Sequence, residues 1–261
     1  MHPHHTQSIQ NVSEHFQHDP EVLALLLSGS IAHGFETATS DVDIMIIVSD
    51  EDHKKRLASN QVHFFNRDLC TYEGGYVDGK YTSLNFIEQV MKKGSEPARF
   101  AFAGSRILFS RIDGLAEILQ QVTCYPASDK AERIKRFHAQ FEAWHWYCGE
   151  ALRLRNQYLL GTSVSKFILF SGRLILAHNE LLYPYHKWFL RVLEGASDQP
   201  DGLLEAIHQL NSSPTTENVE ALYEKVKNFQ PWSDNPWGWP TQFMFESELN
   251  WLDGKTPVDD L

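Results

Sequence analysis

The sequence has few cysteines and few basic side chains, and each shortage excludes a class of protein. Its three cysteines, Cys70, Cys124 and Cys148, form no C-x-x-C pair. A disulfide framework or a thiolate zinc site is therefore not expected, and a reducing compartment fits the chain. With 23 Lys and Arg against 34 Asp and Glu, the net charge is −11. Binding of duplex nucleic acid is not expected, because it needs a surplus of basic side chains to neutralise phosphates.

Targeting segments and long uncharged hydrophobic runs are also missing. The opening MHPHHTQSIQ has neither an apolar core nor a small-residue cleavage site, so no signal peptide is expected. The most apolar stretches are 22–32 and 164–177, and Lys166 and Arg173 interrupt the second. Neither reaches the ~18 uncharged residues of a membrane span, so we predict a soluble, cytoplasmic protein without a membrane partner. The sequence has no P-loop, no dinucleotide GxGxxG and no HExxH motif.

The pattern that is present differs between the two halves of the chain. The apolar run 22–27 is typical of a buried central strand, and 41–48 predicts a second strand rich in β-branched residues. Apolar residues recur at helical spacing over 129–160, which predicts one long amphipathic helix, and further helices are predicted beyond it. The fold class is thus α+β, with a mixed-sheet domain over 1–125 and an all-α helical bundle over 126–261.

Two groups of aromatic side chains near the ends of the chain are assigned no chemistry. The first is a set of histidines at an end expected to be frayed: His2, His4 and His5. The second predicts an aromatic segment packed on the helical domain: Trp232, Trp237, Trp239 and Trp251.

The informative stretch is LLLSGSIAHGFETATSDVDIMIIV. One strand ends at Gly29-Ser30, ten residues follow, and Asp41-x-Asp43 opens the next strand. Asp41 and Asp43 are two residues apart on a strand, so their carboxylates project from the same face. Such a pair repels strongly unless a cation lies between the carboxylates, and hard oxygen ligands suit magnesium. Gly29 lets the backbone approach a ligand, and Ser30 offers a hydroxyl and an amide, as a triphosphate requires.

This arrangement resembles the signature of the nucleotidyltransferase superfamily, which has the DNA-polymerase-β-like fold. The resemblance implies that Gly29 and Ser30 hold the phosphates of ATP or another nucleoside triphosphate. It also implies that Asp41 and Asp43, with a third acidic residue on a neighbouring strand, hold two Mg²⁺ ions.

The third carboxylate is assigned to Asp78, the only acid in the segment GYVDGKYTSL, which is expected beside the Asp41-x-Asp43 strand. Asp-Gly is also the commonest dipeptide of hairpin turns, so a turn is the alternative interpretation. Asp68 and Glu73 are rival candidates for the same role.

The helical half contains a second resemblance. The segment Tyr183-Pro184-Tyr185-His186-Lys187 is similar to the Pro-Tyr-x-Lys element in the helical domain of bacterial aminoglycoside 6-adenylyltransferases. The resemblance implies that Lys187 reaches the triphosphate and counters the charge of departing pyrophosphate, and that Tyr185 stacks on the base or bonds a phosphate. The alternative is that Tyr185 belongs to the core and Lys187 is merely solvated.

The two resemblances together imply a Mg²⁺-dependent transferase, of the antibiotic-resistance type, that moves AMP from ATP to a hydroxyl of a small molecule. A cationic acceptor suits the acidic chain. A glutamate is expected as general base, and four remain open: Glu96, Glu142, Glu150 and Glu180. The alternative functions are a protein-adenylylating transferase of toxin–antitoxin type and a non-catalytic nucleotide-binding regulator. The oligomeric state is left open.

Overall fold

The computed structural model describes residues 1–232 and 238–255, and the chain divides into two compact units. The first unit is Met1–Cys124 and the second is Tyr125–Leu261. All strands of the described residues belong to the first unit, and the regular elements of the second unit are helices. The predicted α+β fold class is confirmed.

A five-stranded mixed sheet forms the centre of the first unit. Its strands are β1 (Val22–Leu27), β2 (Val42–Val48), β3 (His63–Asn66), β4 (Val77–Ser83) and β5 (Arg106–Ser110). The strand order is β3-β4-β2-β1-β5, and every neighbouring pair is antiparallel except β2 and β4. Because β2 and β4 run parallel, their first residues lie at the same edge of the sheet.

Helices cover both faces of this sheet, which explains why β1 and β2 are apolar on both sides. They are α1 (Pro3–Gln17), α2 (Gly29–His33), α3 (Asp50–Ala58), α4 (Leu84–Lys93), α5 (Glu96–Phe100) and α6 (Leu115–Val122). Leu25 and Ile46 belong to a core that α1 completes with Val12 and Phe16. The alternate strand residues face a second core with α4 and α6: Ala24, Leu26, Met45 and Ile47.

The second unit is built around two long helices, α7 (Lys130–Leu154) and α8 (Gln157–His178). The prediction of one helix over 129–160 is wrong. Arg155 adopts a left-handed conformation with φ 53° and ends α7, and the Asn156 side chain accepts the Leu159 N–H at 3.1 Å to cap α8. The apolar spacing continues across this turn, so periodicity alone does not reveal it.

Shorter helices complete the second unit. They are α9 (Phe189–Glu194), α10 (Leu203–Ser212), α11 (Thr216–Lys227) and α12 (Gly238–Phe243), with a π-helical turn at Met244–Glu248 and short 3₁₀ turns. The packing predicted for Trp232 is confirmed, since it is 7% exposed and donates to the Val226 carbonyl. Trp239 meets Phe243 edge-on, with ring centroids 6.3 Å apart. The prediction is wrong for Trp251, which is 59% exposed, and Trp237 lies outside the described residues.

By length and composition, α8 is apolar enough to cross a membrane, and it is the one such helix in the part of the chain that the structure describes. However, 56% of its most apolar window is buried inside the protein. Its buried face, including Phe167 and Leu174, contributes to the hydrophobic core of the second unit. Such burial is typical of the core helix of a soluble protein.

Candidate active site

Three carboxylates converge at the edge of the sheet where β2 and β4 begin. Asp41 precedes β2, Asp43 is the second residue of β2, and Asp78 is the second residue of β4. The parallel register places Asp43 directly beside Asp78. One carboxylate oxygen from each of the three residues lies within 4.8 Å of the others, with all three side chains partly buried. The structure thus brings together the three acidic residues that the sequence analysis selected.

The dipeptide Asp78-Gly79 lies inside β4, so the hairpin-turn interpretation is wrong. A glycine suits this position inside the strand, because neighbouring side chains leave little room for a side chain. A Cβ atom on Gly79 would lie 2.9 Å from Ile44 and 3.1 Å from Phe64. The rivals Asp68 and Glu73 are exposed on the loop between β3 and β4. Neither belongs to the carboxylate group, which is the one metal-capable cluster among the described residues.

The turn after β1 packs directly against Asp43. The backbone N–H of Ser28 donates to the Asp43 carbonyl at 2.9 Å. Gly29 has φ +63°, and a Cβ atom there would lie 1.8 Å from the Asp43 carboxylate oxygen Oδ2. Only glycine satisfies both the left-handed backbone and this close approach. The turn and the carboxylates therefore form one continuous site.

The buried hydroxyl of Ser30 indicates that a ligand belongs in this site. The residue is 4% exposed, and its hydroxyl has no hydrogen-bond partner among the described residues. A buried hydroxyl without a partner costs about 1–3 kcal/mol, so such groups persist where a ligand supplies the missing bond. A phosphate oxygen would fit this requirement.

The carboxylates and the turn also fit a divalent cation. Three carboxylates this close repel one another strongly, and a cation between them offsets that repulsion. The donors are all oxygen atoms, which is the ligand type that Mg²⁺ prefers. These three residues could hold such an ion.

Two aromatic residues, Tyr76 and His63, lie beside the carboxylates. The Tyr76 carbonyl accepts the N–H of Val42 at 3.0 Å, and the negative charge of the neighbouring Asp41 raises the pKa of Tyr76. The His63 ring Nε2 donates to Asp78 Oδ1 at 2.9 Å. Neither residue was predicted from the sequence, because only the pairing of β4 with β2 and with β3 places them here.

The N-terminal helix supports the loop that leads to the carboxylates. His5 is fully buried, and its Nε2 donates to the Ser40 carbonyl at 3.1 Å. The Tyr72 hydroxyl donates to the same carbonyl, immediately before Asp41. The expectation of a frayed segment around His5 is therefore wrong, since α1 begins at Pro3 and packs its histidines on this loop.

A comparison with protein-family models matches the part of the chain that contains this site. Residues 10–96, which include the turn and all three carboxylates, match the family model described as polymerase beta, nucleotidyltransferase. The first unit belongs to the nucleotidyltransferase superfamily. The predicted superfamily is confirmed, whereas the narrower resemblance to aminoglycoside 6-adenylyltransferases stays a prediction. Nucleotidyl transfer is the general activity of this domain, and its fold implies a nucleoside triphosphate and a divalent metal ion.

Solved structures include proteins with a similar fold. The chain is similar to the crystal structure of a nucleotidyltransferase-like protein from Exiguobacterium sibiricum 255-15, with a TM-score of 0.48 and 12% sequence identity. The alignment covers 98% of this chain and 83% of that one. No curated protein matches the sequence.

The residues predicted to reach the triphosphate from the helical half lie in the second unit. Tyr185 is 60% exposed with φ 69°, so it does not belong to the core. Lys187 is exposed in the 3₁₀ turn His186–Trp188, and its ammonium lies 5.0 Å from the centroid of the Trp188 ring.

The four candidate general bases differ in burial and in hydrogen-bond partners. Glu96 is 2% exposed in the first turn of α5. Glu150 accepts two hydrogen bonds from Arg153, and Glu180 pairs with Lys130 at 2.9 Å.

Glu142 lies in a small polar network. It accepts a hydrogen bond of 3.0 Å from the Tyr223 hydroxyl and lies 3.3 Å from His138. Burial raises the pKa of Glu142, but hydrogen bonds from His138 and Tyr223 and the charges of His138 and His145 outweigh burial, so its pKa is lowered.

The second unit also contains an open cavity of about 970 Å³. It lies among α7, α8 and the segment that follows α11, and it is lined by aromatic, acidic and basic side chains. The lining includes Glu132, Arg136, Trp144, Tyr147, Lys166 and Phe170. Its size is in the range of small-molecule sites.

Proposed function

We propose that the protein is a Mg²⁺-dependent nucleotidyltransferase that moves AMP from ATP to a hydroxyl group of a small molecule and releases pyrophosphate. The observation that carries this proposal is the convergence of Asp41, Asp43 and Asp78 beside the turn at Gly29-Ser30. Convergent, partly buried carboxylates and an unpartnered hydroxyl at one sheet edge contribute little to folding, but they suit a metal–triphosphate complex.

Each residue of the site has a defined task in this proposal. Asp41, Asp43 and Asp78 would hold two Mg²⁺ ions, and Gly29 and Ser30 would bind the phosphates through the backbone and the hydroxyl. Bound Mg²⁺ supplies charge neutralisation on the phosphoryl oxygens and alignment of the attacking and leaving oxygens.

The reaction is an in-line displacement at the α-phosphorus. The acceptor oxygen forms a bond to that phosphorus while the bond to the bridging oxygen of the β-phosphate breaks, and pyrophosphate leaves with the bonding electrons. A carboxylate takes the hydroxyl proton, and Glu96, Glu142, Glu150 and Glu180 are the candidates.

The second unit is proposed to supply the acceptor site and part of the triphosphate site. Lys187 would counter the charge that develops on pyrophosphate, and Tyr185 would stack on the base or bond a phosphate. The cavity of about 970 Å³ is the candidate acceptor pocket. A cationic acceptor, such as an aminoglycoside-like molecule, suits a chain of net charge −11.

Pyrophosphate release from Mg·ATP in the presence of an acceptor panel tests the proposal. We expect turnover with at least one hydroxyl-bearing cation, and we expect Asp43→Asn to abolish it. Asp113→Asn is the matched control, because it makes the same change at an exposed position of the first unit and should keep wild-type turnover. Full activity in Asp43→Asn would contradict the metal assignment.

The same assay separates the alternative functions. If ATP labelled in its AMP portion transfers label to a protein band on a gel, the acceptor is a protein. If the protein binds Mg·ATP but releases no pyrophosphate with any acceptor, it is a nucleotide-binding regulator. Either result would replace the small-molecule transferase.

A further inference from the structure

One carboxylate of the candidate site is held in place by a side chain of a neighbouring strand. His63 is the first residue of the edge strand β3, and Asp78 lies on the adjacent strand β4. Because β3 and β4 are antiparallel in this register, the His63 ring reaches Asp78 Oδ1 at 2.9 Å. Asp78, which lies beside Asp43 in the register of β2 and β4, is thus anchored by one donor.

Anchoring matters because an aspartate side chain can rotate about its terminal torsion, which has a broad energy minimum. A carboxylate has two oxygens, so one oxygen can accept a hydrogen bond while the group still offers an oxygen to a cation. Asp78 is 38% exposed, so packing alone does not fix its orientation. A donor at Oδ1 restricts that rotation before any ion arrives.

We propose that His63 is a positioning residue that preorganises Asp78 for a divalent cation. The inference rests on the proposed function, since it takes the three aspartates as metal ligands. Side chains that hydrogen-bond to metal ligands typically contribute about 10–100-fold to metal affinity. We expect the lower end here, about tenfold, because solvent competes with this exposed donor.

A purely structural role for His63 is the alternative, and exposure argues against it. The His63 side chain is 60% exposed, and an exposed pair of this kind adds little to the free energy of unfolding. Its loss should therefore change metal affinity without changing the midpoint of thermal unfolding.

Titration calorimetry of the full chain with Mn²⁺, without nucleotide, tests the proposal. We expect His63→Ala to weaken Mn²⁺ binding about tenfold and His63→Gln, which keeps a donor, to recover part of that loss. His18→Ala is the matched control, because His18 is exposed near the start of β1, at the opposite edge of the sheet from Asp43.

Asp43→Asn, measured in the same way, separates this inference from the proposed function. If Asp43→Asn abolishes Mn²⁺ binding but His63→Ala binds as the wild type does, the positioning role is overturned and the metal site stands. If Asp43→Asn binds Mn²⁺ with wild-type affinity, the metal site itself is wrong. Unchanged unfolding midpoints in all variants ensure that affinity, rather than folding, is compared.

Discussion

The two units of this protein arrange their charged groups differently. In the second unit, several charged groups pair with one another or lie on aromatic rings. Examples are the ion pair of Lys130 with Glu180 and the guanidinium of Arg173, which lies 4.2 Å from the centroid of the Phe137 ring. In the first unit, three carboxylates of like charge converge where β2 and β4 begin.

This difference indicates which groups stabilise the fold and which would bind a metal ion. Paired groups and stacked rings lower the free energy of the folded chain, whereas convergent like charges raise it. A fold retains the second kind of arrangement where a ligand offsets its cost. Substitutions in the core of the helical unit should therefore change stability, and substitutions at the sheet edge should change ligand binding.

The largest stability effect is expected at Phe141 in α7. This ring is fully buried and stacks on Phe167 and Tyr223 at centroid distances of 5.3 Å. Phe141→Ala should lower the free energy of unfolding by about 3–5 kcal/mol, measured by chemical denaturation. Mn²⁺ affinity, measured well below the transition, should be unchanged, and a parallel loss of affinity would break the comparison.

Gly29→Ala should have the largest effect on the candidate active site. The added Cβ would collide with the Asp43 carboxylate, so we expect turnover to fall by about a hundredfold or more and Mn²⁺ binding to weaken. Gly34→Ala is the matched control: Gly34 also has a left-handed backbone, with φ +70°, but open space around a Cβ atom. Both variants should lose about 1 kcal/mol of stability from backbone strain. Equal loss of turnover in the two variants would show that the collision is irrelevant.

Ser30→Ala removes a single oxygen atom and should change catalysis without lowering stability. Removing an unpartnered buried hydroxyl should leave the unfolding midpoint unchanged or raise it, while kcat/KM falls by about a hundredfold. Ser163 in α8 is the control, since its buried hydroxyl also lacks a partner among the described residues. Ser163→Ala should match Ser30→Ala in stability and keep full turnover. Loss of stability in Ser30→Ala would show that its hydroxyl is bonded within the fold.

The smallest expected effect is on the pH dependence of stability, which should differ between the two units. Burial lowers the pKa of His5, His33 and His53, all in the first unit, below the ordinary value of 6.5. Below pH 6.5 the unfolded state therefore binds more protons, so the first unit should lose stability as the pH falls from 7 to 5.

The second unit should lose stability only at a lower pH than the first. The pKa of Glu142 is lowered from 4.5, so its contribution is present above that pH and is lost as the pH falls through the lower folded value. Hydrogen exchange resolved along the sequence at pH 7 and pH 5 measures both units. Equal destabilisation of the two units over this range would contradict the assignment.

The sequence predicted the features that are local in the chain. An apolar run identifies β1 as a buried strand, and the spacing of Gly29-Ser30 and Asp41-x-Asp43 identifies the turn and the next strand. Both patterns depend on residues within about one strand and one turn of each other, so no tertiary information is needed.

The features that the sequence could not reveal depend on long-range pairing. His63 contacts Asp78 only because β3 and β4 are antiparallel in one register, and His5 contacts Ser40 across 35 residues of sequence. The turn between α7 and α8 was missed for a different reason. Arg155 adopts a left-handed conformation that is uncommon for a side chain of its kind, and neither glycine nor proline marks the break.

The most direct test of the central claim is a crystal structure of the protein with Mn²⁺ and a non-hydrolysable ATP analogue. We expect an anomalous diffraction peak between Asp41, Asp43 and Asp78, with phosphate oxygens of the analogue at Gly29 and Ser30. An analogue bound elsewhere, with no metal peak among the three carboxylates at saturating Mn²⁺, would contradict it.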